Sequence, residues 1–171
     1  DMGCEKFIDI KCRASGLKPD AAIVVATVRA LKMHGGGPKV TPGKPLATAY
    51  TQEDKELVRK GVANLQAHLA LMAKFGLPAV VAINAFPTDT EAEWDIIRDA
   101  ALKAGAVDAV VARNWAEGGE GAVELARAVE KACEKPANVQ PLYDLDMPIK
   151  AKIERLATEV YGAAKVSYTP Q

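Results

Sequence analysis

The chain has 171 residues, 22 basic and 22 acidic side chains and so no net formal charge, and 49% of it is hydrophobic. That is enough apolar material for one compact core, and it excludes global disorder. The absence of a basic excess and an aromatic share of only 5% argue against a general nucleic-acid binder, and no apolar run approaches the ~20 residues of a membrane span.

Three cysteines, Cys4, Cys12 and Cys133, are odd in number and lie at no metal-ligand spacing. They read as free thiols in a reducing cytoplasm. The chain opens on Asp1 rather than Met, and residues 1–3 lack signal-peptide character. Either an N-terminus has been removed or the chain is an internal piece of a longer protein.

The first strong element is residues 21–28, AAIVVATV, an apolar run rich in β-branched residues. Residues 79–84 (AVVAIN) and 107–113 (VDAVVAR) are of the same kind. Runs without polar alternation predict parallel strands buried on both faces. Between the first two, Val58, Val62, Leu65, Leu69 and Met72 form a helical stripe, with Thr51 as the expected N-cap and Gly76 and Pro78 as its stop. The next helix opens on Thr90 and Glu93, a capping-box pair, and lines up Trp94, Ile97, Ala101 and Ala104. A third helix is predicted over 121–133, with Leu125, Ala126, Val129 and Cys133 inward. A fourth starts near Asp146 and Pro148 with a stripe of Ile149, Ile153, Leu156 and Val160. Residues 166–168 read as a last short strand.

Strands alternating with helices predict right-handed crossovers and an α/β three-layer sandwich around a mostly parallel sheet. Ligands of such sheets sit beyond the carboxyl ends of the strands, which directs attention to three loops.

The first loop runs from Arg29 to Lys39 and contains Lys32, His34, Gly35, Gly36 and Gly37. It reads equally as a flexible connection or as an anion-facing loop, and it lacks Walker A spacing. The second, residues 84–90, carries Phe86 and Pro87, which read either as an apolar plug on the sheet end or as an aromatic wall for a flat ring. Thr88, Asp89 and Thr90 read as helix-capping residues. The third, residues 113–121, places Trp115 among glycines, where helix periodicity does not account for it; Glu117 and Glu120 read as solvated acids. Phe86 and Trp115 are expected to form two sides of a slot for a planar heterocycle. His68, in the middle of the long helix, reads as structural. No nucleophile triad and no metal motif can be assembled, so catalytic residues stay unassigned and no metal ligand is predicted.

Several segments carry a resemblance to a known family: GCEKFIDIKCRASGLKPDAAIVVATVRALKMHGGGP, NLQAHLALMAKFGLPAVVAINAFPTDTEAE, NWAEGGEGA and LYDLDMPIKAKIERLATEVYGA. Together they span essentially the whole chain, which resembles the central region of formate–tetrahydrofolate ligase. The resemblance implies a P-loop-NTPase-like core. It also implies ATP-dependent joining of formate to tetrahydrofolate through formyl phosphate, giving 10-formyltetrahydrofolate, ADP and phosphate. Mg with ATP, a monovalent cation, a homotetramer, and formate, tetrahydrofolate, ATP and the remaining segments of the parent chain as partners are implied as well. By the same resemblance Phe86, Pro87 and Trp115 hold the pterin, and Ser15, His34 and Gly36 lie near the nucleotide.

The family's P-loop and its further C-terminal region have no counterpart in these residues. The resemblance therefore implies a single α/β segment of a larger multidomain enzyme that supplies the folate side and is inactive by itself. The competing expectation is a non-catalytic nucleotide-binding or interaction module that has lost the P-loop. A dinucleotide-dependent dehydrogenase is disfavoured, because no GxGxxG follows the first strand.

Overall fold

A computed structural model describes residues 2–169. It opens with a continuous helical run: α1 (Met2–Lys6), a π-helical segment (Phe7–Cys12) and α2 (Arg13–Ser15). The apolar part of its inner face is Cys4, Ile8 and Cys12, too few positions to stand out in the sequence. Buried Asp9 fastens it to the far end of the chain. Its Oδ1 accepts the Leu142 N–H at 3.0 Å and pairs with Arg13, which in turn donates to the Tyr143 carbonyl.

The chain then follows β1 (Ala22–Ala26), α3 (Val28–His34), a 3-10 turn (Thr48–Tyr50), α4 (Lys55–Lys74), β2 (Ala79–Asn84), α5 (Glu91–Lys103) and β3 (Asp108–Ala112). After β3 come α6 (Asn114–Glu117), a 3-10 turn (Glu120–Ala122), α7 (Val123–Cys133) and α8 (Ile149–Glu159). Residues 166–168 form no strand; instead the Tyr168 hydroxyl donates to the Lys150 carbonyl at 3.2 Å.

The sheet order is β1-β2-β3, parallel throughout, with Ala22 opposite Ala79 and Val80 opposite Asp108. The central strand is apolar because both its faces are covered. Ala79, Val81 and Ile83 join the main core with Ile97 and Ala101 of α5 and Leu65, Leu69 and Met72 of α4. Val80 points the other way, onto Ala128 and Ala132 of α7. Helices therefore flank the sheet on both sides. β1 departs from the expectation of two buried faces: Ile23 and Val25 are 50% and 65% exposed. They lie on α7's side of the sheet, and α7 packs on β2 and β3.

Other expectations shift locally. Asp54, not Thr51, caps α4, its carboxylate accepting the Leu57 N–H at 3.0 Å. Thr51 instead closes the preceding turn on the Thr48 carbonyl. On α7 the inward face is Leu125, Ala128, Val129 and Ala132, while Ala126 and Cys133 are exposed. On α8, Leu156 and Val160 pack on the core but Ile149 and Ile153 face solvent, and Pro148 occupies the cap position. Residues 29–34 are not loop but helix, with the Thr27 hydroxyl accepting the Ala30 N–H.

Glycine makes the contact between α3 and α4 possible. A Cβ on Gly61 would sit 1.9 Å from the Leu31 carbonyl oxygen, and one on Gly35 would sit 2.0 Å from that of Leu57. Of the three consecutive glycines, only Gly36 has a positive φ (100°) with open space around it.

One buried ion pair joins three helices. Lys32 Nζ of α3 lies 2.6 Å from Glu93 Oε1 of α5, with the side chains 1% and 0% exposed. Every polar atom at this junction has a partner. Lys32 Nζ also donates to the Gln52 carbonyl, and the Glu93 carboxylate accepts the backbone N–H groups of Asp54 and Thr90. The Thr90–Glu93 capping box is present as expected, but Glu93 also carries the ion pair and accepts the N–H of Asp54, the cap residue of α4. Replacing Lys32 with Met keeps the volume and leaves a buried, uncompensated carboxylate, a change expected to cost about 3–5 kcal/mol. Urea unfolding of the protein carrying Lys32→Met measures this, and a loss below about 1 kcal/mol would show that the pair does not hold the helices.

Candidate functional site

Phe86, Pro87 and Trp115 line one cleft of about 190 Å³ together with Asp89, Trp94 and Arg113. It opens beyond the carboxyl ends of β2 and β3, the side of a parallel sheet where ligands are held. The two strands bring the loops together: Ala85 N–H donates to the Ala112 carbonyl at 3.0 Å, one step past the end of the ladder.

Phe86 is held from three directions. Asp89 N–H donates to the Phe86 carbonyl at 3.0 Å, and the Asp89 carboxylate accepts the Phe86 N–H at 2.9 Å, closing a tight turn. The Arg29 guanidinium lies 4.1 Å from the ring centroid and donates to the Thr88 hydroxyl at 3.3 Å. A cation over the negative face of the ring fixes its plane. Burial pushes the Asp89 carboxyl above the usual aspartate range; the Phe86 N–H, the Trp94 indole and the Arg29 charge oppose that only in part.

Trp115 sits on the single turn of α6 and is 87% exposed. Its loop is nevertheless built tightly. Arg113 N–H donates to the Gly121 carbonyl at 2.9 Å, and a Cβ on Gly121 would come 2.6 Å from the Arg113 carbonyl. Trp94 behaves as the sequence suggests, partly buried against the core from α5. The Arg113 guanidinium lies 5.2 Å from the Trp94 ring. Phe86, fixed in place, and the prominent Trp115 indole share this open cleft, but among the described residues no ring contact joins the two, so the facing walls expected of a slot are not formed by direct contact.

The first loop divides by role. Arg29 and Lys32 turn inward, onto Phe86 and Glu93, while His34 and Lys39 stay exposed. Ser15 is exposed at the end of α2, where its hydroxyl donates to the Lys11 carbonyl and accepts the Leu17 N–H. No hydrogen bond among the described residues links Ser15 to His34 or Gly36. Glu117 and Glu120 are exposed. His68 is half-buried and lines a small cavity against β1; burial lowers its pKa. The described residues contain no group of three His, Cys, Asp or Glu side chains placed to hold a metal ion.

Nothing in the sequence marks Asp89 or Arg113 as lining the cleft, and Arg29, which reads there as one cation of an anion-facing loop, instead stacks on Phe86. Asp89 carried a local signal, five positions past the end of β2, but it read only as a cap. The two arginines reach aromatic rings distant in sequence, and nothing in their own neighbourhood announces it.

A family profile described as formate–tetrahydrofolate ligase matches residues 1–171. The formate–tetrahydrofolate ligase of Dehalococcoides mccartyi is 56% identical over 170 residues, 99% of this chain and 28% of that protein. The cytoplasmic C-1-tetrahydrofolate synthase of Drosophila melanogaster is 54% identical over 170 residues, 99% of this chain and 18% of that protein. Its Schizosaccharomyces pombe counterpart is 55% identical over 171 residues, again with 99% and 18% covered. The chain thus spans less than a third of each relative. Over its whole length, it belongs to the formate–tetrahydrofolate ligase family.

Proposed function

We propose that this chain is the folate-binding part of an ATP-dependent ligase that joins formate to tetrahydrofolate. The observation that carries the reading is the shared cleft of Phe86, Pro87 and Trp115 at the ends of two neighbouring parallel strands. A pterin laid against the indole and the locked phenyl ring would cover apolar surface that water now wets.

The chemistry follows from formate's weakness as an electrophile. A formate oxygen attacks the γ-phosphorus of ATP, ADP leaves, and the product is formyl phosphate. N10 of tetrahydrofolate then attacks the formyl carbon, orthophosphate leaves, and N10 gives up its proton. The second step needs positioning above all, since the attacking nitrogen is a weak base. This chain's contribution is that positioning: Arg29 and Asp89 hold Phe86, and the Gly121 contact holds the loop of Trp115.

The first step calls for phosphate-binding amides, a lysine and Mg, which these residues do not supply as a P-loop. We assign it to other parts of the enzyme, within a P-loop-NTPase-like fold. Ser15, His34 and Gly36 would border the nucleotide, and a monovalent cation and a homotetrameric assembly would complete the enzyme. A cytoplasmic setting is supported by the names of the eukaryotic relatives; among the described residues no helix is long and apolar enough to cross a membrane.

Trp115→Ala in the full-length protein should weaken tetrahydrofolate binding by about 1–3 kcal/mol, the scale of one stacking partner. An unchanged dissociation constant in equilibrium dialysis would remove the folate reading. A polypeptide of these 171 residues expressed alone should form no formyl phosphate from ATP and formate, and ADP release that depends on formate would contradict this. The lock on Phe86 also titrates. Because the folded-state pKa of Asp89 is raised, the native state holds that proton more tightly than the unfolded chain. Stability should therefore fall as pH rises from about 4, the ordinary aspartate range, through the raised value. Asp89→Asn should abolish that component, so the difference in urea midpoint between the two proteins should change across this window; a constant difference would refute it.

A further inference from the structure

The chain contains seven arginines, and six of them have hydrogen-bond or ion-pair partners within it. Arg113 is the exception among the described residues: its side chain makes no hydrogen bond and no ion pair. It is also the sole basic residue lining the cleft. Glu117, four positions on, forms no ion pair with it, and Asp89, the cleft's one acid, is engaged by the Phe86 N–H.

Arg113 is nonetheless not loosely placed. Its N–H donates to the Gly121 carbonyl, and its own carbonyl accepts the N–H groups of Ala116 and Glu117 at 3.0 and 2.9 Å. Its guanidinium stands over Trp94. A guanidinium resting on an indole keeps its edge donors free, in the planar fork that suits a carboxylate.

The size of the cleft points to which carboxylate. About 190 Å³ is small beside the roughly 300–1,000 Å³ of sites that enclose a drug-sized ligand. It has room for the bicyclic ring of tetrahydrofolate, not for its benzoyl-glutamate as well, so the tail must leave over the rim. Resting on the folate reading above, we propose that Arg113 is the residue that recognises the glutamyl tail of the substrate. It takes a tail carboxylate at the mouth of the cleft while Phe86 and Trp115 hold the ring.

The test uses the full-length protein with two ligands of equal size, tetrahydrofolate and its α,γ-diamide, which lacks both tail charges. Wild type should bind the diamide about five- to tenfold more weakly, the range of a partly exposed charge-assisted pair. Arg113→Gln should weaken tetrahydrofolate by the same factor and leave the diamide unchanged, and Arg113→Lys should recover part of the loss. The unchanged diamide affinity also certifies that Arg113→Gln is folded. Equal weakening of both ligands would overturn the proposal, since Arg113 would then act only by supporting the rings. So would no change in either, or a raised KM for formate, which would place the residue at the reacting end. Trp115→Ala separates the two failures: it should weaken both ligands alike, and if it weakens neither, the folate reading itself falls.

Discussion

The ion pair of Lys32 and Glu93 is the constraint around which the half of the molecule that carries the cleft is arranged. Two opposite charges almost completely removed from water are tolerable only when each has close partners. Here the partners are the beginnings of two helices and the turn that precedes one of them. α3 therefore cannot shift without disturbing both α4 and α5. Arg29 lies on α3 one turn before Lys32, and the Phe86 loop leads straight into α5. The stacked pair of Arg29 and Phe86 is thus mounted on two helices that the buried charges fix relative to each other.

The cleft is rigid on one side and open on the other. Phe86 is surrounded by a turn, a carboxylate and a guanidinium, whereas the Trp115 indole projects into solvent from a well-fixed backbone. Exposure of so large an apolar side chain is unfavourable in the free protein and becomes favourable once a flat ring covers it. The glycines of this region act mostly through the space they leave. Gly35 and Gly61 let α3 and α4 meet, and Gly121 lets the Trp115 loop close.

Much of this was legible in the residues. The three strands, the long amphipathic α4, the Thr90–Glu93 box and the lining of one cleft by both Phe86 and Trp115 follow from unbroken apolar runs, stripe spacing and the rule that parallel-sheet loops share one end. The errors are equally physical. The N-cap of α4 went to Asp54 because the chain first makes a 3-10 turn at Thr48–Tyr50. The inner face of α7 is Leu125, Ala128, Val129 and Ala132, which share one stripe at i, i+3, i+4 and i+7, and Ala126 and Cys133 fall one position off it. β1 looked like a doubly buried strand, but apolarity in sequence does not say whether a helix arrives to cover it.

By itself the sequence determined what depends on neighbours along the chain: strand and helix identity, most caps and stops, and the family to which the segments are similar. Tertiary structure alone decided what each cation does. In sequence Arg29 and Lys32, beside one run of glycines, and Arg113, beside another, look interchangeable, yet one props a ring, one is buried in an ion pair, and one is left with its donors free. The reason is that a charged side chain's role is set by the dielectric and the partners around its tip, and those partners lie roughly twenty to sixty residues away along the chain.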